Sequence, residues 1–260
     1  MTRGARIVYL MYHELEMPGR RMCQDEPGYV RYVLAETDFR AQIQDLYARR
    51  NQGMSVGEAL RSPHANGVVL TFDDGCETDL IVAAPLLAEL SFNATFYITV
   101  GFLDRPGYLS RGQLRELAAL GFEIGSHSVT HPYLNDLSDS SLRHEIEDSK
   151  TMLEQIIGRP VLHFSCPGGR RDKRTVSAAR EAGYISLATS ETKTNTPSTN
   201  SFALGRVAML RGTSLSEFQK ISAGHGIWKR HTKESVRLLV RNLVGNSLYD
   251  KLRSVLLQRG

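Results

Sequence analysis

The sequence predicts an α/β fold in which strands and helices alternate around a parallel sheet or barrel. Short apolar runs rich in β-branched or aromatic residues recur at Ile7 to Tyr12, Val68 to Phe72, Ala94 to Val100, Glu123 to Ser126 and Tyr184 to Thr189. Between them, apolar residues fall at helical spacing. Phe39, Ile43, Leu46 and Tyr47 form one such stripe, preceded by Thr37 and Asp38, either of which suits a helix cap. Leu80 to Leu90 forms another. Glycine then stands where helix ends need a left-handed residue: Gly121 follows Leu109 to Leu120, and Gly158 follows Leu142 to Ile157. Such alternation is what a parallel sheet covered by helices requires.

Residues 1–225 read as one main domain and residues 226–260 as a basic amphipathic helical tail. In the tail, Val236, Leu238, Leu239 and Leu243 are set among Lys229, Arg230, Arg237 and Arg241. Its apolar side either packs on the main domain, the commoner outcome for this patterning, or lies on an anionic membrane surface. The Ser/Thr/Asn-rich run Thr189 to Ser201 reads as a surface loop.

With 41% hydrophobic and 23% charged residues in a chain of 260, the composition is that of a soluble globular protein. Lys and Arg total 32 against 28 Asp and Glu, so a net charge of +4 does not indicate a nucleic-acid partner. Cys23, Cys76 and Cys166 are odd in number and form no CxxC pair, which predicts free thiols in a reducing compartment. The apolar run Ile7 to Met11 is too short for a signal-peptide core or a bilayer span. The expectation is therefore a cytoplasmic chain able to sit at the inner membrane surface.

Two motifs carry chemistry. Val68 to Gly75 is a buried strand running into two adjacent carboxylates, Asp73 and Asp74, and then a glycine. Functional carboxylates at a strand's C-terminal end suit a barrel or doubly wound enzyme, although a strand-ending Asp-Gly turn has the same appearance. The second motif, His127-Ser128-Val129-Thr130-His131, follows the strand Phe122 to Ser126. Its spacing lets both imidazoles face one ion if the backbone turns helically. Two neutral imidazoles and a carboxylate form a facial triad for a divalent transition metal, with positions left for water and substrate. Read singly, the pair also fits surface histidines at a helix start; its occurrence with the carboxylates, each after a strand, favours the metal.

Thr71-Phe72-Asp73-Asp74-Gly75 and His127 to His131, in this order and separation, resemble the first two motifs of the NodB-like polysaccharide deacetylases, carbohydrate esterase family four. The likeness extends from Met11-Tyr12-His13 to Leu204-Gly205-Arg206-Val207, most of residues 5–220. It implies a distorted, incomplete (β/α) barrel with the active site at the strand ends. It implies Asp73 as general base and Asp74, His127 and His131 as ligands of a divalent transition metal, zinc first, with cobalt or nickel as alternatives.

Two departures qualify the resemblance. The third family motif, usually Arg-x-Pro-x-Gly, is here Ser165-Cys166-Pro167-Gly168-Gly169, without the arginine that would orient the base. Arg206 is the candidate to reach Asp73 from another strand, against the alternative of an ordinary surface salt bridge. Pro167 and Gly168 would shape the groove wall, and Tyr133 with Leu134 an apolar floor near the acetyl methyl group. The family's late histidine in a Leu-x-His pattern has no good match, since His225 follows Ile221-Ser222-Ala223-Gly224. His13, at the end of the first strand, is the better candidate for general acid, with a loop-bonded histidine as its plainer reading. Cys76 and Cys166 lie beside motifs but lack a histidine partner, so buried free thiols are expected.

The resemblance implies removal of an N-acetyl group from an amino sugar in a polysaccharide or lipid-linked glycan, within bacterial cell-surface or exopolysaccharide biosynthesis. Two alternatives remain open at this level: hydrolysis of another non-peptide C–N bond such as a formamide or ureide, and a glycan-binding relative that has lost catalysis. The partners implied are an N-acetylated glycan, no nucleic acid, and a membrane surface met peripherally through the tail.

Overall fold

The computed structural model describes residues 6–62 and 67–227. The tail from Trp228 onward, and with it the expected amphipathic helix, lies outside the described residues.

The main-sheet strands and the helices around them run β1 (Val8–Tyr12), α1 (Glu36–Ala48), β2 (Gln52–Met54), α2 (Val56–Arg61), β3 (Gly67–Asp74), α3 (Ala84–Glu89), β4 (Thr95–Ile98), α4 (Arg111–Ala119), β5 (Glu123–Ser126), α5 (Asp139–Arg143), α6 (Ser149–Ile157), β6 (His163–Ser165), α7 (Lys173–Glu181), β7 (Ser186–Ala188), β8 (Val207–Ala208) and α8 (Leu215–Ser222), with a short helix, Pro27–Val30, and a two-stranded sheet of Leu15–Glu16 and Leu34–Ala35 between β1 and α1. All strands of the main sheet pair in parallel, in the order β8-β1-β3-β4-β5-β6-β7, and β2 lies beside the first half of β3. Between β7 and β8 a single parallel bridge, Ala188 to Leu204, spans the gap. The fold is thus an incomplete (β/α) barrel whose wall is thin where β8 joins it.

Strand alternation sorts the side chains. Tyr12, Phe72 and Phe96 are register partners on neighbouring strands, and their rings stack at 5.2 and 4.7 Å under the helices. The intervening residues face the barrel interior, where Tyr9, Val69, Tyr97, Ala188 and Leu204 form a smaller core. Gly125 is required here: a Cβ at this position would meet the Tyr97 ring at 2.4 Å.

Helix α1 begins at Glu36, earlier than the sequence suggests, and neither Thr37 nor Asp38 caps it. Glu36 and Asp38 instead lie in the first turn, where acidic groups complement the helix dipole. The two long helical stripes are each interrupted by a π-turn, at Asp79–Ala83 ahead of α3 and at His144–Asp148 between α5 and α6. Gly121 and Gly158 are left-handed at their helix ends, with φ of +92° and +70°. The run Thr189 to Ser201 is irregular but is not a surface loop throughout, because it must bridge the gap between β7 and β8. Asn195 is buried, exchanges backbone hydrogen bonds with Ile7 at 2.8 and 2.9 Å, and binds both polar groups of Gly205 through its side chain. No helix of the described residues is long and apolar enough to cross a membrane.

Because Phe96 is fully buried against both Phe72 and Phe122, Phe96→Ala is expected to cost about 3–5 kcal/mol in urea unfolding. A loss below about 1 kcal/mol would show that the aromatic row is not a structural centre.

Candidate active site and metal centre

At the C-terminal end of β3, Asp73 and Asp74 emerge side by side and nearly fully buried, 2% and 5% exposed. Asp74 takes the left-handed region with φ +81°, as does Gly75 after it. This reversal turns the two carboxylates to different partners, at a backbone cost that a short Asp side chain tolerates best.

Asp73 belongs to a buried ion pair. Arg206, 0% exposed, donates to Asp73 Oδ1 from Nη1 at 2.7 Å and to Oδ2 from Nη2 at 2.8 Å. Its remaining N–H groups go to Thr71 Oγ1, Ser165 Oγ and the Thr189 carbonyl, at 3.2, 2.7 and 3.0 Å. The Tyr97 ring lies 5.4 Å from the guanidinium. Arg206 is therefore not a surface arginine, and Ser165, at the position where the family pattern has its arginine, becomes one of its acceptors. Burial alone would raise the Asp73 pKa, but the charge and hydrogen bonds of Arg206, with His127 and His13, hold it well below the usual carboxylate range.

Asp74 faces the imidazoles. Its Oδ1 is buried without a hydrogen-bond partner among the described residues and lies 3.7 Å from His127 Nε2 and 3.5 Å from His131 Nε2. His127 Nδ1 lies 2.8 Å from the Ser165 carbonyl, which can only accept, so Nδ1 carries the proton and Nε2 presents its lone pair. Burial pushes the His127 pKa down to about 4, although Asp73 and Asp74 pull it upward. The His127 contact is accordingly a lone pair facing a carboxylate, which repel unless a cation lies between them. Donors around a tetrahedral ion at bond lengths of about 2.1 Å are separated by about 3.4 Å, so Asp74, His127 and His131 fit a divalent metal.

The histidine motif forms a bent loop instead of the helical turn its spacing suggested, with Ser128 and His131 left-handed at φ +70° and +63°. Glu145 holds this loop by accepting hydrogen bonds from the Val129 and Thr130 amides, each at 2.8 Å, and from the Thr130 hydroxyl at 2.6 Å. Ser128 Oγ accepts from the His131 amide at 3.0 Å. Glu145 was not among the sequence candidates. Its signal was a carboxylate beside the apolar stripe of Leu142, Ile146 and Leu153, within the second π-turn.

His13 directly follows β1, half-buried against Tyr32 with ring centroids 4.8 Å apart, and its Nδ1 has no hydrogen-bond partner among the described residues. Burial lowers its pKa, opposed by the nearby Asp74 and Asp73. His225 is exposed beyond α8, where its amide bonds the Lys220 carbonyl. Pro167 is buried and Gly168 lies against Tyr133, whose Cε1 would be 3.0 Å from an added Cβ. Leu134 is fully buried in the core and so cannot line the floor expected of Tyr133 and Leu134, while the Arg170 guanidinium sits 3.4 Å above the Tyr133 ring centre. Cys166 is a buried thiol, and burial pushes it up to about 12.

Arg206→Ala is expected to destabilise the fold by about 3–5 kcal/mol, because it strands a buried carboxylate. Adding Asp73→Asn should recover a measurable part of that loss in a double-mutant cycle. Additive losses would mean that the pair is not coupled.

Residues 61–186 match the family described as polysaccharide deacetylase. YxkH of Bacillus subtilis is 26% identical over 222 residues, 83% of this chain and 76% of that protein. A peptidoglycan-N-acetylglucosamine deacetylase of Bacillus cereus is 36% identical over 119 residues, so that the match spans 45% of this chain and about half of that protein, 53%. The Streptococcus pyogenes deacetylase PplD, solved in complex with acetate, superposes with a TM-score of 0.74 at 22% identity, over 84% of this chain and 99% of that one, and shares the fold. Over residues 61–186, which hold both the strand-end carboxylates and the paired histidines, the chain is thus similar to the polysaccharide deacetylases, and it shares the fold of a solved deacetylase.

Proposed function

We propose that this protein hydrolyses the N-acetyl group of an amino sugar in a polysaccharide or lipid-linked glycan. The observation that carries this reading is an unligated carboxylate, Asp73, locked by Arg206 next to a ligand set of Asp74, His127 and His131. A module that only bound glycan would have no need of it. The N-acetylglucosamine substrate named for the Bacillus cereus relative and the acetate bound to PplD support the substrate class.

When bound, a dication supplies Lewis acidity, drawing the pKa of a water toward neutrality and polarising the amide carbonyl; zinc, cobalt and nickel all suit a carboxylate and two imidazoles. Asp73 takes the proton of the attacking water. Arg206 keeps Asp73 ionised and fixes its plane, and the same ion pair lowers its basicity. The departing amine needs a proton, and His13 at the same rim is the group we assign to deliver it. Tyr133, Pro167 and Gly168 form the wall against which a sugar ring packs. A place in bacterial exopolysaccharide or cell-surface synthesis, at the cytoplasmic face of the membrane, follows if the basic segment 226–260 holds the enzyme near a lipid-linked substrate.

Acetate release from N-acetylglucosamine oligomers tests the reading. Metal-loaded protein should release acetate, chelation should abolish it, and added zinc, cobalt or nickel should restore it. Asp73→Asn should lower the rate by about 100-fold or more with metal content unchanged. A metal-loaded protein that releases no acetate would redirect the assignment to another amide, such as a formamide or ureide.

A further inference from the structure

A second donor cluster lies just past Asp74, outside the residues assigned above. Cys76, fully buried, follows Gly75, and its Sγ is 3.8 Å from Cys23 Sγ. Glu14, 1% exposed, closes the group: its carboxylate accepts from the Cys23 amide at 2.9 Å and from the Tyr29 hydroxyl at 2.8 Å. The same hydroxyl stands 3.5 Å from Cys76 Sγ. One donor atom each from Glu14, Cys23 and Cys76 lies within 4.8 Å of the other two.

The sulfur spacing, here that of a thiol–thiol hydrogen bond, also matches a shared ion. A tetrahedral ion with metal–sulfur bonds of about 2.3 Å separates two thiolates by about 3.8 Å, the distance seen here, so the side chains need little movement to become ligands. Nearby, Asp79 is 0% exposed, and neither of its carboxylate oxygens has a hydrogen-bond partner among the described residues. Its amide donates to the Cys76 carbonyl at 3.0 Å. Buried carboxylates beside thiols form a pocket suited to a cation. A groove of about 480 Å³, lined by Arg20, Arg21, Met22, Glu77 and Gly107, opens onto half-buried Cys23 and offers an entry path.

We propose that Glu14, Cys23 and Cys76 bind a second divalent ion, of the borderline-soft class to which zinc belongs, with the Tyr29 hydroxyl or a water completing a tetrahedron. Two thiolates with one oxygen donor prefer such an ion to magnesium or calcium. On binding, each sulfur exchanges its proton for a bond to the ion and two protons pass to solvent, with no change of oxidation state. The ion ties the segment after β1, the loop bearing Cys23 and the turn after β3 to one point, two residues from Asp74. Its role is to hold that turn, and the site is independent of the reaction proposed above.

Cobalt is the probe. Reduced wild-type protein should bind cobalt beyond the first-site equivalent and develop a thiolate-to-cobalt charge-transfer band in the near ultraviolet, which a carboxylate and two imidazoles cannot produce. Asp74→Asn should lose one equivalent and keep the band. Cys23→Ser should lose the band and keep the other equivalent, with its fold checked by circular dichroism. Glu14→Gln, which changes one donor and little volume, should weaken the band-forming affinity by at least about tenfold. The proposal fails if fully reduced wild-type protein gives no band, if the band survives Cys23→Ser, or if Cys23 and Cys76 are joined as a disulfide whose reduction still yields no cobalt–thiolate signal.

Discussion

The buried ion pair between Asp73 and Arg206 is the interaction on which the site's architecture depends. Burying two charges costs several kcal/mol each, and only near-ideal geometry offsets that. Here the pairing is bidentate at 2.7 and 2.8 Å, and the other guanidinium N–H groups find Thr71, Ser165 and the Thr189 carbonyl. Each acceptor comes from a different part of the barrel: Thr71 from β3, Ser165 from β6 and Thr189 from the exit of β7. Arg206 immediately precedes β8, which pairs with β1 through Leu10 and Met11. One side chain therefore draws together the strands flanking the gap in the wall.

The same constraint divides labour between adjacent carboxylates. With Asp73 engaged inward, the left-handed turn at Asp74 sends the next carboxylate toward His127 and His131. The histidine loop is strained in a similar way, at Ser128 and His131, and Glu145 offsets that strain with three hydrogen bonds from its π-turn. Unfavourable backbone thus collects where the ligands must converge, and the surrounding network over-determines it.

The local parts of this arrangement were legible in the sequence. Asp73 and Asp74 follow a strand whose pattern is unambiguous, and His127 and His131 follow another, so both motifs could be placed at strand ends from short-range signals. His127 and His131 converge through a bent loop and not through the helical turn that was the stated condition for it, because spacing carries no information about φ at Ser128. Arg206 could be named only as a candidate, since its role depends on β8 docking against β1 and on a partner 133 residues away. Strands β6 and β8, of three and two residues, are shorter than a period-2 pattern needs, unlike β7, which lies inside the apolar run Tyr184 to Thr189, and α7 has Val176 as its one large apolar residue. Cys23 and Cys76, 53 residues apart, read as separate free thiols until the fold brought their sulfurs together.

Relocating the arginine tests most directly whether the pair with Asp73 is what the chemistry needs. Acetate release would be compared for metal-loaded wild type, Arg206→Ser, and Arg206→Ser combined with Ser165→Arg, which moves the guanidinium to the family's usual position. If Arg206 serves by orienting Asp73, the single variant should lose about 100-fold in rate, and the double variant should regain at least about tenfold of that at unchanged metal content. A single variant with wild-type activity, or a folded and metal-loaded double variant no faster than the single one, would contradict it.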